Sequence, residues 1–229
     1  MMTVEEAIVG RQSIRAYLPT AVPHDVLKRV LQIAGRAPSG SNIQPWHVYV
    51  LEGAAKDALC DELVARHASG DEGQREYNYY PVKWRDPYLA RRRETGWGLY
   101  GLLGIGREDK TAMSAQARQN FTFFGAPAGL IFTIDRDMEL GSWLDTGMFI
   151  QSVMIAARGD GLETCPQAAF CQYHDIIQAR LKIPAEQQVI CGMAIGYGDA
   201  DAKINRFRTT RIAIGNFVTW VKTLRCPDE

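Results

Sequence analysis

The sequence predicts a chain of mixed helices and strands, and three observations carry that prediction. Apolar residues recur at helical spacing in Val26, Leu27, Val30, Leu31 and Ala34, and again through Ser142–Arg158. Two near-continuous apolar runs, Ala128-Gly129-Leu130-Ile131-Phe132-Thr133-Ile134 and Gln188 to Tyr197, read as buried strands. The chain has 229 residues, enough for one large domain or two small ones with a sizeable core.

Composition narrows the function classes. The formal net charge is zero, so bulk charge does not point to a nucleic-acid or membrane partner. No apolar run approaches the roughly 20 residues of a membrane span, and the N-terminus lacks the pattern of a secretory signal. The five cysteines, Cys60, Cys165, Cys171, Cys191 and Cys226, form no C-x-x-C pair. The four histidines, His24, His47, His67 and His174, show no ligand spacing. No metal site is expected, and a reducing cytoplasm is the expected compartment.

Taken in order, Thr3 and Glu6 form a capping box that opens a short helix closed near Gly10. Arg11-Gln12-Ser13-Ile14-Arg15-Ala16-Tyr17 follows. If it is extended, Arg11, Ser13 and Arg15 face one way, because side chains alternate along a strand. Two guanidiniums and a hydroxyl on one face make a seat for a phosphate, although a solvated basic edge has the same composition. Pro23 suits the first position of the next helix.

The stretch from Ala37 to Trp46 holds Pro38, Ser39, Gly40, Ser41, Asn42 and Pro45. The prolines fix φ and push the residues before them toward extended geometry. Gly40 and Asn42 tolerate φ > 0. The loop is bent, rigid and rich in donors, and its terminal aromatic offers a surface for something flat or anionic. An ordinary helix-to-strand connector has the same look. A strand over His47–Leu51 and a helix over about Ala54–His67 come next.

Residues 69–107 are polar, glycine-dotted and aromatic, with Tyr77, Tyr79, Tyr80, Trp84, Tyr88, Trp97 and Tyr100. Helix is expected from Asp86 to Leu103. Long irregular insertions of this kind form lids and binding loops. Gly96-Trp97-Gly98-Leu99-Tyr100-Gly101 matches G-x-G-x-x-G but lacks the preceding strand and the following acid that dinucleotide binding requires. Beyond it the pattern gives a helix over about Asp109–Phe124, the Ala128 strand and a helix over Ser142–Arg158 that is apolar nearly all round. A short strand over Leu162–Cys165 then runs into Pro166-Gln167-Ala168, followed by a helix over Tyr173–Leu181. The loop after the last strand carries Asn205, Arg206, Arg208 and Arg211. The tail, residues 212–229, is apolar near Phe217, Val218 and Trp220 and suits docking on a neighbouring subunit.

Four segments together resemble the FMN-dependent nitroreductase superfamily: Arg11-Gln12-Ser13-Ile14-Arg15; Ala37-Pro38-Ser39-Gly40-x-Asn42-x-Gln44-Pro45-Trp46; the apolar helix leading into Leu162–Ala168; and Gly196-Tyr197 with the basic run after it. The aromatic insertion and Asn205-Arg206-Phe207-Arg208 are most similar to nitroaromatic and nitrobenzoate reductases. The resemblance implies an α+β, three-layer fold with a central mixed sheet flanked by helices. It implies a single domain over 1–229 and a homodimer with exchanged tails and FMN at its interface.

By the same resemblance Arg11, Gln12, Ser13, Arg15 and Arg211 hold the flavin from one subunit, with Arg208 a further phosphate candidate. Pro38, Ser39, Gly40 and Asn42 belong to the segment that reaches it from the other. Pro166, Gln167 and Ala168 lie along the ring near N5. The implied activity is reduction of nitroaromatic or quinone-like acceptors by NAD(P)H, with hydride passing through flavin N5 in a ping-pong cycle and no catalytic side chain. Reductive dehalogenation, other flavin chemistry and a non-catalytic flavin-binding role are alternatives on the same fold.

Overall fold

The structure is a computed structural model that describes Met2–Thr223. Cys226 and the end of the expected docking tail, residues 224–229, lie outside the described residues. Helices α1 (Val4–Gly10) and α2 (His24–Ala34) precede strand β1 (Trp46–Glu52). Three helices follow, α3 (Gly53–Ala68), α4 (Tyr88–Leu103) and α5 (Lys110–Arg118). The remainder is β2 (Ala128–Asp135), α6 (Leu140–Gly159), β3 (Glu163–Gln167), α7 (His174–Leu181) and β4 (Gln187–Gly196).

The strands form one sheet in the order β1-β2-β4-β3, every neighbouring pair antiparallel. The mixed sheet expected from the resemblance is corrected in that respect. Parallel pairing enters as two isolated bridges, Ser13 to Thr164 and Gln74 to Tyr173. The first lays the Arg11–Tyr17 stretch along the outer edge of β3. Its companion bridge, Tyr17 to Gly198, holds the end of that stretch beyond β4.

The sheet has a helical layer on each face. Val30 and Ala34 of α2 pack with Phe149 and Val153 of α6 against Leu130, Phe132, Met193 and Ile195. On the other face Leu59 and Leu63 of α3 and Ile177 of α7 cover Ile131, Val189 and Ala194. In β2, Ile131 points one way and Leu130 and Phe132 the other, the two-residue period of a strand buried on both sides. Gly129 and Gly192 leave windows in the central strands. A Cβ at Gly129 would stand 2.5 Å from Phe123, and one at Gly192 would stand 2.3 Å from Phe170. The two rings stack on each other at 4.4 Å in that space.

Several boundaries move. The helix expected over Asp109–Phe124 ends at Arg118 and tightens into a 3-10 segment, Gln119–Gly125, where Phe123 and Phe124 take positive φ. Pro166 and Gln167 lie inside β3 rather than in a loop after it. Proline is tolerated there because β3 borders the four-stranded ladder. In the loop before β1 the positive φ falls on Ser41, Asn42 and Gln44, not on Gly40. One face of the Trp46 ring is taken: it stacks on Phe149 of α6 at 4.7 Å.

The aromatic insertion divides in two. Its first part is tied to the core. The Tyr77 hydroxyl donates to the carbonyl of Ile190, which a bulge leaves outside the β2–β4 ladder. Tyr77 also meets Trp143 edge-on. The second part, with Tyr79, Tyr80 and Tyr88, is exposed. The G-x-G-x-x-G match lies wholly within α4, with no strand before it.

Candidate active site

The site is built from the sheet edge outward. The Ile14 amide donates to the Thr164 carbonyl at 3.1 Å, and Ile14 is buried. The flanking Arg11, Ser13 and Arg15 are only partly buried, as the strand period requires. The Arg15 guanidinium folds back to the Ser13 carbonyl at 3.2 Å. Asn205 locks this stretch from the far side. Its side-chain carbonyl accepts the Arg15 amide at 2.8 Å, and its NH2 donates to the carbonyls of Ala16 and Asp199, both at 2.8 Å. Arg208 donates to the Asn205 carbonyl at 2.7 Å, and Arg211 folds onto Thr209 and Thr210.

The electrostatics of this edge are one-signed. Burial, and then the nearby Arg211 guanidinium, push the Arg11 pKa below its ordinary value. Among the described residues no carboxylate stands within ion-pair distance of Arg11, Arg15, Arg208 or Arg211. Glu163, the nearest acid along β3, is engaged by Arg158. Behind the arginines burial raises the pKa of the Cys165 thiol, an effect opposed by Arg15, by a hydrogen bond from Ser13 and by Arg11. A cluster of cations without counter-charge stores repulsion that an anion relieves.

Two side-chain oxygens here are buried without a partner, Gln12 Oε1 and Gln167 Oε1. The Gln167 NH2 donates to the Asn120 carbonyl at 2.7 Å, so its orientation is set and its oxygen is left over. A buried unpaired acceptor costs about 1–3 kcal/mol unless a ligand donor satisfies it. Ala168 follows at the end of β3, its carbonyl accepting from Arg75 at 3.3 Å.

The second group of expected residues is elsewhere. The Gly40 amide donates to Asp145 of α6 at 3.0 Å, and the Ser39 hydroxyl accepts the Gln44 amide at 3.0 Å. Pro38 and Asn42 are exposed beside them. The other end of α6 meets the arginine edge, where a Cβ on Gly10 would stand 2.9 Å from the Arg158 guanidinium. Asp145 and Arg158 are thirteen residues apart on one helix, about 20 Å at helical rise. One chain therefore lays Arg11, Gln12, Ser13 and Arg15 along β3, the strand that carries Pro166 and Gln167 and ends at Ala168, sets Arg208 and Arg211 on the loop that Asn205 ties to Arg15, and holds Pro38, Ser39, Gly40 and Asn42 beside Asp145 instead.

Sequence reasoning missed three supports: Asn205 as the clamp on Arg15, Cys165 behind the arginines and Asn120 as the holder of Gln167. Asn205 carried some signal, a short amide among arginines. Asn120 carried none, because its partner is 47 residues away. Two open concavities on the surface, one lined by His24, Leu27, Leu31 and Val50 and the other by Pro81, Trp84, Arg85 and Tyr88, do not coincide with the arginine edge.

Fold and edge together define a three-layer α+β protein with a basic, counter-ion-free strip beside its outermost strand. Residues 8–197 match the Nitroreductase family, and the chain belongs to that family. It is 40% identical over 220 residues to the 4-nitrobenzoate reductase of Nocardioides sp. (strain LMS-CY), covering 94% of this chain and 89% of that one. It is 35% identical to the chloronitrobenzene nitroreductase of Comamonas testosteroni, covering 95% and 96%. Among solved structures, the FMN and NADPH-dependent nitroreductase NfnB from sphigopyxis sp. strain HMH superposes with a TM-score of 0.93 at 38% identity, covering 96% and 100%. The FMN-dependent nitroreductase NfnB from Mycobacterium smegmatis in complex with NADPH gives 0.91 at 32%, covering 95% and 97%.

Proposed function

We propose that this protein is an FMN-dependent oxidoreductase that uses NAD(P)H to reduce nitroaromatic acceptors. The observation that carries the reading is the basic strip: arginines without counter-ions beside two buried acceptors that lack donors. FMN fits that set. Its phosphate is a dianion that prefers paired guanidiniums. Its ring imide and ribityl hydroxyls are donors of the kind Gln12 Oε1 and Gln167 Oε1 require.

Arg11 and Arg211 hold the phosphate, with Arg208 beside them. Arg15, four residues from Arg11 and about 13 Å away at strand rise, holds the ring end. Pro166, Gln167 and Ala168 line the ring. When bound, FMN supplies the two-electron chemistry, accepting hydride from reduced nicotinamide and delivering it to the acceptor. The side chains bind, orient and tune: a fixed cation at Arg15 favours negative charge on the reduced cofactor.

The loop Pro38–Asn42 reaches the flavin of a second subunit. The attachment of the loop at Asp145, about 20 Å along α6 from Arg158, supports this reading, as do the exposed apolar groups on α1 (Val4, Ile8, Val9), α6 (Leu140, Leu144) and the tail (Phe217, Trp220, Val221). The chain is thus one domain with an aromatic insertion at about 69–107 and a docking tail from about 212, assembled as a homodimer. The four described cysteines are unpaired, in keeping with a cytoplasmic enzyme. No helix among the described residues is long and apolar enough to cross a membrane.

The test is the visible spectrum of the purified protein before and after NADH or NADPH under argon. The expected outcome is a yellow protein holding about one FMN per chain, bleached by the nucleotide and re-oxidised by a nitroaromatic. A colourless protein that takes up no flavin overturns the reading.

A further inference from the structure

We infer that residues 79–93 form a docking surface for anionic lipid, so that the protein binds peripherally to a negatively charged membrane face. Flavin binding neither requires nor explains this surface.

The formal net charge of zero conceals a local imbalance. Residues 79–93 hold five cations, Lys83, Arg85, Arg91, Arg92 and Arg93, against one acid, Asp86. Asp86 is turned to the start of α4, where it accepts the Ala90 amide at 3.2 Å. All five cations are exposed. Among the described residues none of them has a carboxylate within ion-pair distance. Exposed Tyr79, Tyr80 and Tyr88 stand between them, together with Val82, which is 85% exposed. The Arg92 guanidinium lies over Trp84 at 4.8 Å and over Tyr80 at 5.8 Å. Arg85 and Arg91 lie over Tyr88 at 4.8 and 5.8 Å. Pro81, Lys83, Trp84, Arg85 and Tyr88 line an open concavity on this surface.

The packed side of α4 is a different one. Glu94 accepts the Thr210 hydroxyl at 3.1 Å, and the Phe207 ring stands 2.8 Å from where a Cβ on Gly98 would be. Arg92 is two residues before Glu94, about 200° round the helix at 3.6 residues per turn. The guanidinium that bridges Tyr80 and Trp84 therefore lies on the side of α4 turned from the 205–211 loop.

The mixture of residue types selects lipid among anionic surfaces. Tyr and Trp, with an apolar body and a polar rim, collect at the headgroup level of a bilayer. Cations beside them are held by an anionic leaflet, each strengthening binding about fivefold. Val82 offers bare apolar surface of the kind that enters the acyl boundary. A nucleic-acid strand has no comparable use for it. Guanidiniums already lie over Tyr80, Trp84 and Tyr88, where they compete with the base stacking on which single-strand binding depends. On the reductase reading, docking brings the enzyme to the layer into which apolar aromatics partition.

The test is co-sedimentation of the purified full chain with vesicles of phosphatidylcholine alone or mixed with phosphatidylglycerol. Binding should appear with the anionic mixture only. It should fade as salt rises from about 0.1 to about 1 M, where the Debye length shrinks from about 10 to about 3 Å. Arg85→Gln and Arg92→Gln should each weaken partitioning about fivefold, and Arg92→Lys, which keeps the charge, should restore most of the loss. Val82→Ser leaves the charge alone and should also weaken binding. Partitioning unchanged in the two Gln variants overturns the inference, as does equal binding to neutral vesicles. So does a Val82→Ser protein that binds like the wild type, because a purely electrostatic patch does not tell lipid from other polyanions. Binding of a fluorescent oligodeoxythymidylate without binding to vesicles overturns it as well and assigns the surface to single-stranded nucleic acid. A protein without flavin overturns the reductase reading instead, and the vesicles still decide the lipid surface.

Discussion

The Gly40 amide donates to the Asp145 carboxylate at 3.0 Å, and this bond pins the Pro38–Asn42 loop to the opposite end of α6 from the arginine strip. On the reading proposed above, the loop serves the flavin of another subunit. Asp145→Ala should free the loop, so FMN retention should fall while the arginine strip of the same chain stays intact. Flavin content per chain after desalting, read beside light scattering, checks this. A flavin-replete dimer in the variant, or a flavin-replete wild-type monomer, contradicts the arrangement.

Arg11 and Arg15 are separable although both face the strip. On the proposed assignment Arg11→Ala removes a phosphate partner. It should lower FMN occupancy and leave the midpoint potential of the remaining flavin nearly unchanged. On the same assignment Arg15→Ala removes a cation from the ring end and should lower the potential, because the reduced anion loses more than the neutral oxidised form. For a two-electron couple 30 mV corresponds to about 1.4 kcal/mol, so a modest loss is measurable. The reverse pattern would exchange the two roles.

Asn205 is buried and makes three hydrogen bonds with its side chain, to Arg15, Ala16 and Asp199. Asn205→Ala leaves the part-buried Arg15 amide and Asp199 carbonyl without this partner, at a cost of up to about 1–3 kcal/mol each, while the Ala16 carbonyl keeps the Asp199 amide. The melting temperature should drop, and added FMN should narrow the gap because the ligand refixes Arg15. A variant as stable as the wild type would show that water replaces the clamp.

The glycine windows predict an asymmetry. Gly192→Ala drives a methyl into Phe170 and should destabilise by about 1–3 kcal/mol through overpacking. Gly96→Ala in α4 meets nothing within 4 Å and should stabilise by up to about 1 kcal/mol through helix propensity. Thermal unfolding of both variants checks the pair.

The Asp71 pKa is held below its ordinary value, first by the Gly73 amide and then by Arg66. A lowered folded pKa gives stability that is present above the unfolded carboxylate value, about 3.9, and is lost as pH falls through the folded value. Arg66→Gln should therefore lower the melting temperature at pH 7, modestly because the pair is exposed. The gap should close by about pH 2. A gap that persists there assigns the effect to the packing of Arg66 over Tyr173.

The sequence by itself determined the elements whose signals are local. The capping box at Thr3 and Glu6 sits where it was expected. The alternation of Arg11, Ser13 and Arg15 and the apolar runs of β2 and β4 depend only on the strand period. The tertiary structure decided what depends on residues far apart in the chain. Trp46 looked like an open ligand surface, yet Phe149, 103 positions later in the sequence, stacks on one face of it. Pro166 entered β3 because that strand borders the ladder, a matter of strand order that no local pattern records. The separation of the Gly40 loop from the arginine strip was an expectation of the resemblance alone, with no local pattern to record it. It is set by α6, which holds the Gly40 loop at Asp145, thirteen residues along the helix from Arg158.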